Sequence, residues 1–470
     1  MASFFTNNSC NPFMDPETPC TWGNYVRFAV NATLAADYQE TIRFAEAHNV
    51  RLVIRHTGHD NNGKSTGARG LSLWTHNMKT KELKEYNGAG YSGKAFVFGA
   101  GILMQEAYEF AHSHGLLVVG ANQPTVGFAG GYTQGGGHGP LASQFGLAAD
   151  QVLEWEVVVA SGDIVTASRM AHADLFWALC GGGGGTFGAV LSVTVRAHPP
   201  MTLSTASLAF VPPSGSPELA TEDFYAAVGE FTMLVPSIND AGAVAAWFIT
   251  AQSFGLSTLF GPGLEETELE QLLQPILKTL RRLNIEFSYH SETHSSFLEG
   301  VLRQQPVNVS GLNIGGRLIP RTLVETNNAE LTATIRNITT AGALFSGVSF
   351  NVSQHAADSI GANPYWRESI FNAVVATPFN HTDWQANIRG VESITNDLLP
   401  PLEHLTPNGA AYLNEADFQQ PDWQRVFYGV HFGKLSEIKS RYDPKDLFYV
   451  LGGVGSERWI QQADGRLCRT

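Results

Sequence analysis

A short apolar run ends in a polar turn that carries two histidines: Arg51-Leu52-Val53-Ile54 lead into Arg55-His56-Thr57-Gly58-His59-Asp60. A strand stopping in such a turn directs successive backbone N–H groups one way, and a nest of that kind binds phosphate oxygens. Gly58 supplies backbone conformations that other residues resist. Alone, the string also reads as a polar loop with a hydrogen-bonded histidine. Two glycine-rich stretches narrow the choice. The first follows Gln123-Pro124-Thr125-Val126-Gly127 and holds Gly130, Gly131, Thr133, Gly135, Gly136, Gly137 and His138. The second runs from Gly181 to Gly185, after Leu175-Phe176-Trp177-Ala178-Leu179. Val126, Phe128 and Tyr132 are interleaved with the first stretch, and a solvated linker avoids such apolar side chains. Glycine at this density lets backbone approach a large flat ligand. Neither stretch has the spacing of a dinucleotide-binding turn that opens a helix after a strand, and no phosphate-loop lysine follows.

Around these motifs the pattern alternates. Ala35 to Asn49 reads as a helix with Tyr38, Ile42 and Ala45 on one face. Arg51 to Arg55 and Lys94 to Phe98 read as strands, Leu103 to His114 as a helix. Val152 to Val159 with Ile164-Val165 reads as a hairpin turning at Ser161-Gly162-Asp163. From about residue 205 the glycine runs vanish and longer helices appear, over Glu218 to Leu234 and over Leu264 to Leu283, the latter bent by Pro275. Apolar β-type stretches, Ala243 to Ala251 and Val307 to Ile314, lie between helices. The expected fold is α+β: a first domain over 1–203, a second over 204–405 with an antiparallel sheet covered by helices, and a C-terminal segment over 406–470. In that segment Ala411 to Asp417 precedes a helix from Trp423 to Arg441.

The chain of 470 residues suits two domains, and 43% hydrophobic against 15% charged residues marks it as well buried. A net charge of −14 opposes nucleic-acid binding, which needs a basic face. No run of eighteen apolar residues spans a membrane. Cys10 and Cys20 suit a small disulfide loop, Cys180 a buried inert thiol, and Cys468 a free one; no spacing suits a metal site. Sequons at Asn7, Asn31, Asn308, Asn337, Asn351 and Asn380 favour a secreted glycoprotein. Met1 to Phe5 lacks the basic start and apolar core of a leader, which leaves an intracellular location open.

Taken together, the strings resemble the berberine-bridge-enzyme-like, vanillyl-alcohol-oxidase-type FAD-linked oxidoreductases of fungi. The matching pieces are Arg55 to Asp60, Leu73-Trp74-Thr75-His76, Pro124 to Gly127, Gly130 to His138, Asp174 to Leu179, and Tyr412-Leu413-Asn414. The resemblance implies an FAD-binding first domain of two parts, a substrate-binding second domain, and a C-terminal segment that returns to the flavin. It implies FAD on Arg55, His56, Thr57, Gly58, His59 and Asp60, and on Gln123, Pro124, Thr125, Val126, Gly127, Gly130, Gly131, Thr133, Gly135, Gly136, His138 and Asn414. His59 would bond covalently to the 8α-methyl carbon. Many family members place a cysteine before Pro-Thr-Val-Gly for a second bond. Gln123 stands there, so a single covalent link is expected. The family's fungal members also carry a leader and a stretch ahead of the point where this chain starts.

The expected chemistry is hydride transfer from an alcohol, sugar or secondary-metabolite C–H to flavin N5, with O2 as the oxidant that regenerates FAD and yields peroxide. The alternative is a biosynthetic isomerase or cyclase on the same scaffold without net redox. Tyr412 and Asn414 are the candidate catalytic residues. If Ala411 to Asp417 is a strand, both point to one face and Glu415 to the other. Tyr412 is then the base, or else an aromatic packed on the flavin. A structural role is the alternative for His138.

Overall fold

The computed structural model describes residues 3–214, 216–303, 311–462 and 464–470. Three small strands, β1 (Phe28–Asn31), β2 (Leu52–Arg55) and β3 (Leu71–Trp74), form a parallel sheet in the order β1-β3-β2. The helix Ala35–Ala47 covers it, and the expected stripe of Tyr38, Ile42 and Ala45 is fully buried there. Next come β4 (Lys81–Gly88), β5 (Tyr91–Gly99), β6 (Val152–Val158), β7 (Ile164–Ser168) and β8 (Ala189–Arg196), an antiparallel sheet ordered β4-β5-β8-β6-β7. The helix Met104–Ser113 and both glycine-rich stretches lie against this sheet's core, around Phe96, Phe98, Phe128 and Trp155.

The third sheet is larger. β9 (Leu203–Phe210), β10 (Val244–Thr250), β11 (Ser253–Pro262), β12 (Phe287–His294), β13 (Leu312–Pro320), β14 (Leu344–Ser349) and β15 (Ser369–Pro378) run antiparallel in the order β12-β9-β11-β10-β14-β15-β13. Strand periodicity sends neighbouring residues to opposite faces. Ala245, Leu259 and Ile319 join a core beneath the helices Pro217–Asp240, Glu266–Arg282 and Arg321–Thr340, while their neighbours Val244, Phe260 and Leu318 join the core of the glycine stretches. The sheet therefore faces its own helices on one side and the first domain on the other. This is the α+β architecture expected from the sequence. Residues 307–310 of one expected strand, and the sequon Asn308, lie outside the described residues.

Two expectations change. The helix expected over Trp423 to Arg441 is two helices, Trp423–Tyr428 and Phe432–Tyr442. They part at Gly429, whose φ of +59° is a left-handed value that a helix interior does not accept. The segment from Ala411 to Asp417 is not a strand but a turn, closed by Glu415 N–H donating to the Tyr412 carbonyl at 2.8 Å. Cys10 and Cys20 form the disulfide. Cys180 is fully buried, its thiol pushed up to about 12 by that burial, and Cys468 is exposed. No helix among the described residues is long and apolar enough to cross a membrane.

Candidate active site

β2 delivers the histidine turn to the end of a cleft that His56, Thr57, Gly58, His59 and Asp60 line. Gly58 has φ +86°, and a side chain there would stand 3.1 Å from the Arg55 guanidinium. Arg55 is thus folded beneath the turn and supports it from outside the cleft. His59 Nε2 lies 2.7 Å from Thr125 Oγ1, and burial holds this imidazole below its ordinary pKa, so the ring is neutral near neutral pH. His56 is pushed down to about 4, again by burial. The Gly101 carbonyl opposes that shift, yet neither ring nitrogen of His56 makes a hydrogen bond of ordinary geometry. Asp60 organises the turn: its Oδ2 accepts from the N–H groups of Asn62, at 3.1 Å, and Lys64, at 2.6 Å.

The glycine stretches form the floor. A Cβ on Gly184 would come within 2.7 Å of Gly131 Cα, so the two stretches touch backbone to backbone, an approach only glycine permits. A Cβ on Gly130 would meet nothing within 4 Å. Gln123, Val126, Gly127, Gly130, Gly131 and His138 line the cleft; Pro124, Thr125, Thr133, Gly135 and Gly136 do not. They shape it instead. The Pro124 carbonyl accepts from Gln105 N–H at 3.0 Å, and Thr133 Oγ1 donates to the Phe128 carbonyl at 2.6 Å. Gly136, with φ +114°, accepts from Ala149 N–H at 2.9 Å. Gly135 makes room for Asn414, whose Nδ2 would sit 2.5 Å from a Cβ there.

The C-terminal segment closes the cleft. Asn414 Nδ2 donates to the Gly131 carbonyl and to the Tyr412 hydroxyl, both at 2.8 Å. Burial, with the Glu415 carboxylate next in weight, pushes Tyr412 above the usual phenol range. Burial thus favours the neutral phenol over the phenolate. The reason for setting Glu415 aside does not hold. In a turn rather than a strand, Glu415 reaches the same cleft as Tyr412. Its carboxylate accepts from Asn372 Nδ2 at 2.6 Å and lies 3.3 Å from His138 Nε2. His138 in turn packs edge-on to the Tyr412 ring, with centroids 5.4 Å apart. His138 is therefore part of a polar cluster at the cleft. Lys64, Gly184, Gly185 and Val450 also line the cleft and were absent from the candidate residues, and Glu415, weighed as a base and set aside, lines it too. Gly184 and Gly185 lay in a glycine run already visible in the sequence. Lys64 and Val450 carried no signal.

A flat ring with a polar rim fits this donor set. The open space over Gly130 accepts a plane, and the polar groups of Lys64, Gln123, His138, Asn414 and Glu415 stand around it. Comparison with known proteins agrees. A family model described as "FAD binding domain" matches residues 26–168, and one described as "Berberine and berberine like" matches 411–455. An FAD-linked oxidoreductase, sor8 of Hypocrea jecorina, is 45% identical and covers 100% of this chain and 81% of its own length. The chain belongs to the VAO-type, berberine-bridge-like FAD-linked oxidoreductases. The crystal structure of the VAO-type flavoprotein MtVAO615 from Myceliophthora thermophila C1 superposes with a TM-score of 0.93 at 38% identity, over 100% of this chain and 87% of that one. A bifunctional decalin synthase, calF of Penicillium decumbens, is 36% identical over 98% of this chain and 82% of its own. This oxidoreductase thus takes FAD on its first domain and a small-molecule substrate.

Proposed function

We propose that the chain is an oxidase that removes a hydride from a carbon bearing a hydroxyl group, with Glu415 as the base. The placement of the Glu415 carboxylate carries the reading. It is held by Asn372 and His138 in the one cleft that also contains His59 and Asn414. Glu415 takes the hydroxyl proton as the neighbouring C–H leaves as hydride, and His138 beside it spreads the charge change. The neutral Tyr412 hydroxyl and the Asn414 amide orient the substrate oxygen. FAD when bound supplies the hydride acceptor, and O2 takes the electrons away as hydrogen peroxide.

His59 would carry the single covalent link. The attacking imidazole must be neutral, which burial favours, and Thr125 occupies Nε2, leaving Nδ1 as the linking nitrogen. Gln123 cannot form a thioether. Acid precipitation of the purified protein tests this. A yellow pellet from the wild type and a colourless one from His59→Ala, with FAD in the supernatant, is the expected result. Yellow colour in the wild-type supernatant alone would refute the link.

The second reading is a cyclase or isomerase without net redox, favoured by the likeness to calF. Anaerobic bleaching of the flavin by an alcohol or sugar, followed by peroxide on readmitting air, supports the oxidase. Turnover with no bleaching supports the cyclase. Secretion belongs to the same proposal. The sequons Asn7, Asn31, Asn337 and Asn380 are exposed, and a mobility shift on deglycosylation of the native-source protein would test it.

A further inference from the structure

Among the described residues that line the cleft, Lys64 is the one lysine or arginine. Its acidic counterparts there are Asp60 and Glu415. The side chain is 12% exposed. Its ammonium lies 3.4 Å from Asp60 Oδ1, donates to the Leu413 carbonyl at 2.9 Å, and lies 3.4 Å from Asn414 Oδ1. A buried ammonium is costly unless its charge is used or paired. Asp60 pairs it loosely, through Oδ1 at 3.4 Å, while Oδ2 accepts from two backbone N–H groups of its own turn. The remaining contacts are neutral oxygens.

We propose that Lys64 is the cation that compensates the charge delivered to the flavin, and so sets its reduction potential. The inference rests on the hydride reading above. Oxidation of an alcohol sends two electrons and one proton to the acceptor and the second proton to Glu415. One negative charge is then left on the ring side of the cleft. His56 and His59 are neutral because burial disfavours their charged forms. Lys64 is the cationic side chain among the described residues lining the cleft that can meet it, and its bonds to Leu413 and Asn414 keep it on the segment that closes the cleft.

The test is the midpoint potential of the purified holoprotein, reduced stepwise by a chemical reductant with a reference dye. It needs no substrate, so failure of the oxidase reading shows separately, as an absence of bleaching by any alcohol or sugar. Lys64→Met should weaken the stabilisation of reduced over oxidised flavin about tenfold, given a unit charge acting through an intermediate dielectric. For a two-electron couple this lowers the potential by about 30 mV. Lys64→Arg should restore it. Asp60→Asn, which removes the partial counter-charge and keeps an oxygen for the turn, should move it upward. The opposite signs are the signature, since a merely structural role would not reverse direction with charge. An unchanged potential in Lys64→Met overturns the proposal. So does loss of FAD from Lys64→Met with retention in Lys64→Arg, which would make Lys64 a phosphate anchor. If Lys64→Met does not fold, the absence of an upward shift in Asp60→Asn overturns it.

Discussion

Replacing Glu415 by glutamine removes a proton acceptor while leaving its position almost unchanged. The substituted amide oxygen still accepts from Asn372, whose bond to Glu415 measures 2.6 Å, and only the contact with His138 at 3.3 Å is altered. The stability cost is therefore about 1 kcal/mol, one altered hydrogen bond. The catalytic cost is larger. A positioned general base contributes about 10² to 10⁴ in rate, which at 1.36 kcal/mol per decade is about 3–5 kcal/mol of barrier. Tyr412→Phe should cost about tenfold or less, because this phenol holds its proton and only orients. The assay is anaerobic mixing of enzyme with an alcohol or sugar that bleaches the wild-type flavin, following loss of the flavin's visible absorbance. Reduction by Glu415→Gln within about threefold of wild type, or an equal loss in Tyr412→Phe, would refute the assignment.

Three further outcomes follow from packing and burial. Gly184→Ala forces a Cβ to 2.7 Å from Gly131 Cα; about 1–3 kcal/mol of destabilisation and a lower flavin content per chain are expected, and full occupancy at an unchanged urea midpoint would count against the backbone-contact floor. Lys439 is wholly buried, with Nζ 2.6 Å from Asp443 and 2.7 Å from the Thr186 and Phe448 carbonyls. Lys439→Met strands the carboxylate and should cost about 3–5 kcal/mol in urea unfolding, a prediction that a loss below about 1 kcal/mol would defeat. For His56 the sign is set by its depressed pKa. An unfolded histidine binds its proton near pH 6.5, whereas His56 resists until about 4. Its contribution is fully present above about pH 6.5 and is lost as pH falls towards 4, because the unfolded chain binds more protons in that window. At about 1.4 kcal/mol per pH unit the loss is at most about 3 kcal/mol. Apoprotein His56→Gln should show a shallower acid slope than wild type, and identical slopes would exclude this role.

Local patterns carried much of the fold. The 3.6-residue spacing of Tyr38, Ile42 and Ala45 and the run Leu52 to Ile54 became a buried helix stripe and a strand because period and burial are encoded within a few neighbouring residues. The glycine stretches and the His59 turn announced a cleft for a flat ligand for the same reason, since each is a contiguous backbone device, and the family resemblance made that ligand FAD. The C-terminal helix escaped that logic at Gly429, where a left-handed residue breaks a pattern that apolar spacing alone continues.

The cluster proposed as catalytic was beyond reach of local reading. Glu415, His138 and Asn372 are far apart in the chain and meet because three elements converge: the first domain's glycine floor, a strand of the large sheet, and the C-terminal turn. The sequence determined by itself that a strand-end histidine turn and two glycine floors would build a cleft for a flat cofactor, because those features act through adjacent backbone. Only the tertiary structure decided which carboxylate enters that cleft and which cation stays in it. A single turn between Tyr412 and Glu415 reverses the face a strand would have assigned, and the direction of a side chain depends on backbone dihedrals that distant packing sets.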